Sequence, residues 1–300
     1  MRVRGSATRI EWPTLALAAM VYAVWALAVV VLPALSLWIA MIVTAFVAAL
    51  HSSLSHEVVH GHPFPGRQWL NEALVFPCLV LFVPLGRFRD THLAHHNDAI
   101  LTDPYDDPES NYLDPAIWAG LPGWQRRLLS FNNTLLGRLV LGPAISLFVF
   151  TRADLAAIRG GDRAVREAWF WHVPQAGVVL LAVAVSPMPL WAYLVASYGA
   201  MALLKIRTFL EHQAHDRASG RTAIVEDRGP LAFLFLNNNL HVVHHIHPRV
   251  PWYALPSLYR ANRAHYVRRN GGYVFRSYGE VFARHFLRRK DPVPHPLYPR

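Results

Sequence analysis

Uncharged and charged stretches alternate on a long scale along this chain, and the uncharged ones are far too long for strands. From Trp12 to His56 no residue is Asp, Glu, Lys or Arg, about 45 positions. That is room for two helices of roughly 20 residues each, joined near Pro33. A second such stretch runs from Ala168 to Leu204, with Ser186-Pro-Met-Pro189 at its middle. The pattern therefore predicts four membrane-crossing helices in two hairpins, over residues 13–33, 35–55, 168–186 and 188–208. Between the hairpins, residues 73–86 are uncharged but short and interrupted by Pro77 and Pro84, which suits a re-entrant or interfacial segment. Asp103-Pro-Tyr-Asp-Asp-Pro108 reads as a loop. Residues 112–166 mix Trp, Arg and apolar runs such as 139–150 and read as amphipathic helices at the bilayer surface. Residues 259–300 form a basic amphipathic tail. No internal repeat or low-complexity linker divides the chain, so residues 1–300 are taken as one domain.

Composition agrees with the membrane class: 53% of residues are hydrophobic and 16% charged. The net charge of +10 is almost all arginine and is unevenly placed. Both hairpin turns, near Pro33 and Pro187, are uncharged, whereas the N-terminus (Arg2, Arg4, Arg9), the central segment and the tail hold the arginines. The positive-inside rule puts those three regions on the cytoplasmic side, N- and C-termini included. The tail's arginines also suit a segment lying on anionic lipid. No nucleic-acid-binding motif accompanies them. Cys78 is the lone cysteine, which excludes a disulfide framework and a thiolate metal site.

The chemistry lies in the histidines. His92-Leu-Ala-His95-His96 and His241-Val-Val-His244-His245 share the spacing H-x-x-H-H, and His56-Glu57-Val-Val-His60 puts two more imidazoles one helical turn apart. Positions i, i+3 and i+4 of a helix fall on one face, so each cluster is expected to aim at one spot. The expected topology leaves all three clusters on the cytoplasmic side, in a helical, histidine-rich cap. Eight imidazoles exceed the four ligands of a zinc ion and suit two metals of higher coordination number. His212, at the end of the fourth expected span, matches the position of His56 at the end of the second and is the ninth candidate. His215, three residues later, competes with it. His62 and His247 are possible substitutes. His51 is expected in the core or behind the site, and His172 at the interface. His265, His285 and His295 are expected on solvated surface. Metal-bound imidazoles donate their second N–H to an acceptor, a role for Glu57, Asp90, Glu211, Asn238, Asn239 and the Asp103, Asp106, Asp107 group.

A rival reading takes His56-Glu57-x-x-His60 as the H-E-x-x-H of an intramembrane zinc metalloprotease, with Glu57 as general base. It leaves both H-x-x-H-H clusters idle. A histidine-lined transporter would need polar residues inside the spans, and these spans hold almost none.

With these residues in view, the chain resembles the membrane fatty acid desaturase superfamily, the three-histidine-box, non-haem di-iron enzymes, and its bacterial members in particular. The resemblance covers roughly residues 43–258. It implies four spans with a cytoplasmic histidine cap in the bacterial inner membrane. It also implies two iron ions (Fe2+) held by His56, His60, His92, His95, His96, His212, His241, His244 and His245. The implied activity is O2-dependent desaturation of a fatty acyl chain carried by a membrane lipid or thioester. Hydroxylation of a lipid, or ketolation or hydroxylation of a carotenoid, is the alternative within the superfamily. Thr208 stands where the animal acyl-CoA enzymes have asparagine, one turn before the extra histidine. No fused cytochrome b5 segment is visible, so a separate donor of ferredoxin or rubredoxin type is expected.

Overall fold

The computed structural model describes residues 10–298. Arg2, Arg4 and Arg9, on which part of the topology expectation rests, lie outside the described residues. The chain divides into two compact units: the first comprises the chain up to Arg89, Leu147–Leu203 and Arg249–Tyr253, and the second Asp90–Ser146, Leu204–Pro248 and the chain from Ala254.

In the first unit, α1 (Trp12–Val30) starts on Pro13, whose fixed φ suits a first helical turn. A short turn of helix, Leu32–Leu35, ends where Ser36 goes extended and its Oγ accepts the Ile39 N–H, capping α2 (Leu37–Val59). The segments Trp12–Leu35 and Leu37–Val59 are long and apolar enough to cross a membrane. Among the described residues two helices pass that test, where the hydropathy pattern suggests four. Helix α3 (Leu85–His95) follows, then α4 (Gly142–Arg159), α5 (Arg163–Ala184) and α6 (Leu190–Thr208). The last two fall on the third and fourth expected spans. Charge reduces their apolar runs, Arg163, Arg166 and Glu167 at the start of α5 and Lys205 and Arg207 at the end of α6. Both expose large apolar side chains, including Phe170, Val173, Val178, Leu181, Trp191 and Val195.

Residues 73–86, expected as a re-entrant or interfacial segment, are mostly irregular. After the short helix Gln68–Leu74 the chain runs without helix as far as Pro84, with Val75, Leu79 and Leu81 buried. Its carbonyls are taken up by side chains: Tyr22 Oη donates to Leu74 O (2.6 Å), Tyr193 Oη to Leu79 O (2.8 Å) and His172 Nε2 to Leu81 O (2.8 Å). Irregular backbone inside apolar surroundings survives only when its polar groups are satisfied in this way. His172, expected at the interface, is thus buried and structural. Arg87 makes a bidentate pair with the buried Asp154 of α4, which also accepts from Trp169 Nε1 at 2.8 Å.

The second unit carries the end of α3, α7 (His241–Ile246), α8 (Leu255–Arg269) and several short helices. The all-helical expectation needs one correction. Two-residue strands β1 (Ile224–Val225) and β2 (Val274–Phe275) pair in parallel, Ile224 opposite Val274. All four residues are β-branched or aromatic, types that fit a half-buried pleat. In residues 259–298, Tyr259, Tyr266, Phe275, Tyr278, Val281, Val293 and His295 are buried, His295 against the expectation of solvated surface, and they pack this segment into the unit. Its apolar and aromatic positions are what the arginine count obscured.

Candidate metal centre

Box three begins at a sharp turn. Leu236 and Asn237 have positive φ, a conformation asparagine tolerates, and α7 starts four residues later. Asn239 Nδ2 donates to Val225 O (2.6 Å) and Asp227 O (3.2 Å), tying this turn to β1. Asn239 therefore holds backbone, while Asn238 Oδ1 lies 2.9 Å from His241 Nδ1.

Each H-x-x-H-H box divides its imidazoles between two groups. His95, His212, His241 and His245 form one set, with ligand atoms all within 4.8 Å of one another. Within it, His212 Nε2 lies 2.8 Å from His95 Nε2 and 3.2 Å from His241 Nε2. His92, His96 and His244 converge separately, His96 Nε2 lying 3.1 Å from the Nε2 of both others. The split follows from helix geometry. At about 100° per residue, i and i+4 lie roughly 40° apart, while i+3 lies about 60° to the other side of i. So His241 and His245 go to one group and His244 to the other; His92 and His96 go to the second and His95 to the first. The expectation that each box aims at a single spot is corrected accordingly.

The donor set fits metal ions. Five of these imidazoles turn Nδ1 toward an oxygen: His92 to Glu109 (3.1 Å), His95 to Asp107 (2.8 Å), His241 to Asn238 (2.9 Å), His245 to Asp98 (3.1 Å) and His212 to Thr222 Oγ1 (3.5 Å). Engaging Nδ1 fixes the tautomer and leaves Nε2 with its lone pair. Adjacent ligands about 2.1 Å from one ion lie about 3 Å apart, the spacing these Nε2 atoms show. The buried Nε2 of His245 has no hydrogen-bond partner.

In the His95, His212, His241 and His245 group, burial holds three of the four below the usual histidine range. Burial, reinforced by neighbouring His95 and His245, holds His212 well below its usual pKa; burial and then His245 and His212 do the same for His241. His245 is lowered mainly by burial, against the pull of Asp98. His95 is the exception: burial would lower it, but Glu109 and Asp107 raise it to about 9. Burial would raise Glu109, and His95 and His92 reverse this and hold it below the usual carboxylate range. Glu211, 3.5 Å from His241 Nδ1 and 2.6 Å from Arg207, is raised by burial against Arg207.

The remaining sequence candidates fall as follows. In the first unit, His56 on the last turn of α2 and His60 just beyond it have ring centroids 4.9 Å apart. Glu57 is buried, 3.8 Å from His56 Nδ1, and its Oε2 accepts the Trp252 N–H at 2.9 Å. Asp90 lies on α3 two residues before His92. His215 packs on Gly220, away from both groups, with Nδ1 receiving the Arg217 N–H at 3.0 Å. His62 pairs with Glu11 (2.7 Å) and His51 with Tyr22 (3.2 Å). His247 stacks on Tyr266 edge to face. Asp103 Oδ1 accepts the N–H groups of Tyr105 and Asp106, a turn. Reading the sequence did not single out Asp98 or Glu109. Asp98 follows box two by two residues, a usable signal; Glu109 is 17 residues beyond His92 and has none.

A largely helical chain with two convergent imidazole sets, backed by carboxylates, defines a protein with a histidine-box site able to hold metal. The fatty acid desaturase family model matches residues 31–277, a span containing every histidine of the three boxes, and this chain belongs to that family. It is also similar to two β-carotene ketolases of Paracoccus. It shares 26% identity over 216 residues with that of strain N81106 / MBIC 01143, covering 68% of this chain and 71% of the ketolase. With that of strain PC1 it shares 27% over 210 residues, with the same coverage.

Proposed function

We propose that this chain is a di-iron, O2-dependent oxidase that attacks unactivated C–H bonds of a long hydrocarbon dissolved in the membrane. In this reading His92, His96 and His244 hold one iron and His95, His212, His241 and His245 the other. His56 and His60 are assigned as further ligands on the family's box pattern. The observation that carries it is the division of labour in the imidazoles, Nδ1 on an oxygen and Nε2 converging. When bound, the iron pair supplies the reduction of O2 that drives hydrogen removal. The protein's share is to hold the imidazoles aimed. Asp107, Glu109 and Asp98 hold the rings by Nδ1, and Arg207 holds Glu211 beside His241.

Two substrate classes suit the reading. A fatty acyl chain losing two hydrogens to a double bond is supported by the family match. A carotenoid ring gaining oxygen is supported by the similarity to the two ketolases. In either case α5 and α6 act as the third and fourth spans, the termini are cytoplasmic in a bacterial inner membrane, and a separate ferredoxin- or rubredoxin-type protein delivers electrons. The test is mass spectrometry of lipids and pigments from a carotenoid-producing host expressing the chain. Loss of two hydrogens from an acyl chain supports desaturation; a keto or hydroxy carotenoid supports ring oxygenation. Unchanged lipids and pigments, despite a loaded metal site and a working donor, would overturn the proposal.

A further inference from the structure

The last described residues of the chain run into the His95/His212/His241/His245 group. Lys290 Nζ donates to the carbonyl of His212 and lies 3.1 Å from Asp291. Asp291 accepts from Tyr112 Oη at 2.6 Å, and Tyr112 Oη accepts the N–H of Ala214, two residues past His212, at 2.9 Å. The backbone from the His212 carbonyl to the Ala214 N–H is therefore held by Lys290 directly and by Asp291 through Tyr112. The segment is anchored: Lys290 N–H donates to Asn133 O (3.0 Å), and Asn133 Nδ2 to Asp291 O (2.6 Å). Pro292 and Pro294 favour an extended path for the residue before each, and Val293 O and His295 N–H bracket Leu113 at 2.9 and 2.8 Å. Beyond that ladder His295, 8% exposed, sets Nε2 3.3 Å from Thr102 Oγ1. Thr102 has φ of +69°, a strained value for a β-branched residue, and its N–H donates to Asp107 Oδ2 at 2.8 Å. Asp107 in turn holds His95.

We propose that Lys290–His295 is a positioning strap for this imidazole group, Lys290 fixing His212 through its carbonyl and His295 fixing His95 through Thr102 and Asp107. The strap lies beyond residue 277, where the family match ends. The inference rests on the two-metal reading above.

The test is titration of the chelated protein in detergent with Co2+, followed by its visible absorption and by calorimetry, with helix content recorded in parallel. Wild type should bind two ions. Lys290→Met and His295→Gln should keep one site unchanged and weaken the other by about 10- to 100-fold, the usual cost of removing a partner behind a metal ligand. Lys290→Arg, which can still donate, should restore most of that affinity. Unchanged binding at both sites in Lys290→Met and His295→Gln would overturn the strap, as would parallel loss of both sites with loss of helix. A wild-type chain that binds fewer than two ions would overturn the two-metal reading itself.

Discussion

His95 and Asp107 meet through one hydrogen bond, Nδ1 to Oδ1 at 2.8 Å, with both side chains 1% exposed. The same carboxylate receives the Glu109 N–H on Oδ1 (2.9 Å) and the Thr102 N–H on Oδ2 (2.8 Å), so it cannot swing away from the ring. Asp107→Asn keeps one oxygen but sets an NH2 against either the His95 and Glu109 side or the Thr102 N–H, so one of these contacts is lost and the grip on the ring loosens. The expected result is a roughly 10- to 100-fold loss of metal affinity with membrane insertion retained, read by metal analysis of purified protein. Wild-type metal content would remove Asp107 from the site.

His212 and His215 separate the two possible ninth histidines. His212→Ala removes an Nε2 within 3.2 Å of two other imidazoles and should abolish turnover and lower bound metal. His215→Ala should keep both, because its ring contacts Gly220 and the Arg217 backbone. Metal content and product analysis on the pair decide it, and the reverse pattern would transfer the role to His215.

Reporter fusions test the membrane path. Fusions near Arg126 and at the C-terminus should report cytoplasm, and one between Ser186 and Pro189 the opposite side. A cytoplasmic signal from that last fusion would mean that α5 and α6 do not cross.

Asp154 is buried and is gripped by Arg87 and Trp169. Asp154→Ala removes the carboxylate paired with the largely buried guanidinium of Arg87, and breaking a buried pair from one side typically costs about 3–5 kcal/mol. Thermal unfolding in detergent should show a clear drop in Tm, smaller for Asp154→Asn. Equal melting of both variants and wild type would mean that the pair contributes nothing.

Glu226 is held below the usual carboxylate range, first by its hydrogen bond to Arg263 and also by Tyr259. A depressed carboxylate stabilises the fold above its unfolded pKa, and that contribution disappears as pH falls through the folded value. Wild type should therefore melt higher than Glu226→Gln at neutral pH, and the two curves should converge in acid. A constant difference at all pH values would contradict this.

The three boxes and the first hairpin were legible because each is a local pattern: imidazoles at i, i+3 and i+4, and uncharged runs of helical length. The short stretch before Pro84 was legible as irregular, but not its satisfaction by Tyr22, Tyr193 and His172, since those partners come from distant helices. Glu109 and His295 were missed for the same reason. Each acts across a chain separation that no spacing rule registers, and a tail rich in arginine hides the buried Tyr259, Tyr266 and Tyr278 that pack it. The division of each box between two imidazole groups was derivable from the helical angle alone. Treating i, i+3 and i+4 as one face concealed it.

The ring of oxygens behind the imidazoles also sets an electroneutrality condition. Asp98, Asp107, Glu109 and Glu211 all face histidines of the two groups, and Arg207 offsets Glu211. Arg269, 3.7 Å from Asp98, and His95, raised to about 9, offset part of the remaining charge. A cation held among the imidazoles would displace the His95 proton, so binding there would be linked to pH, and the folding free energy of the second unit would be bound up with metal supply.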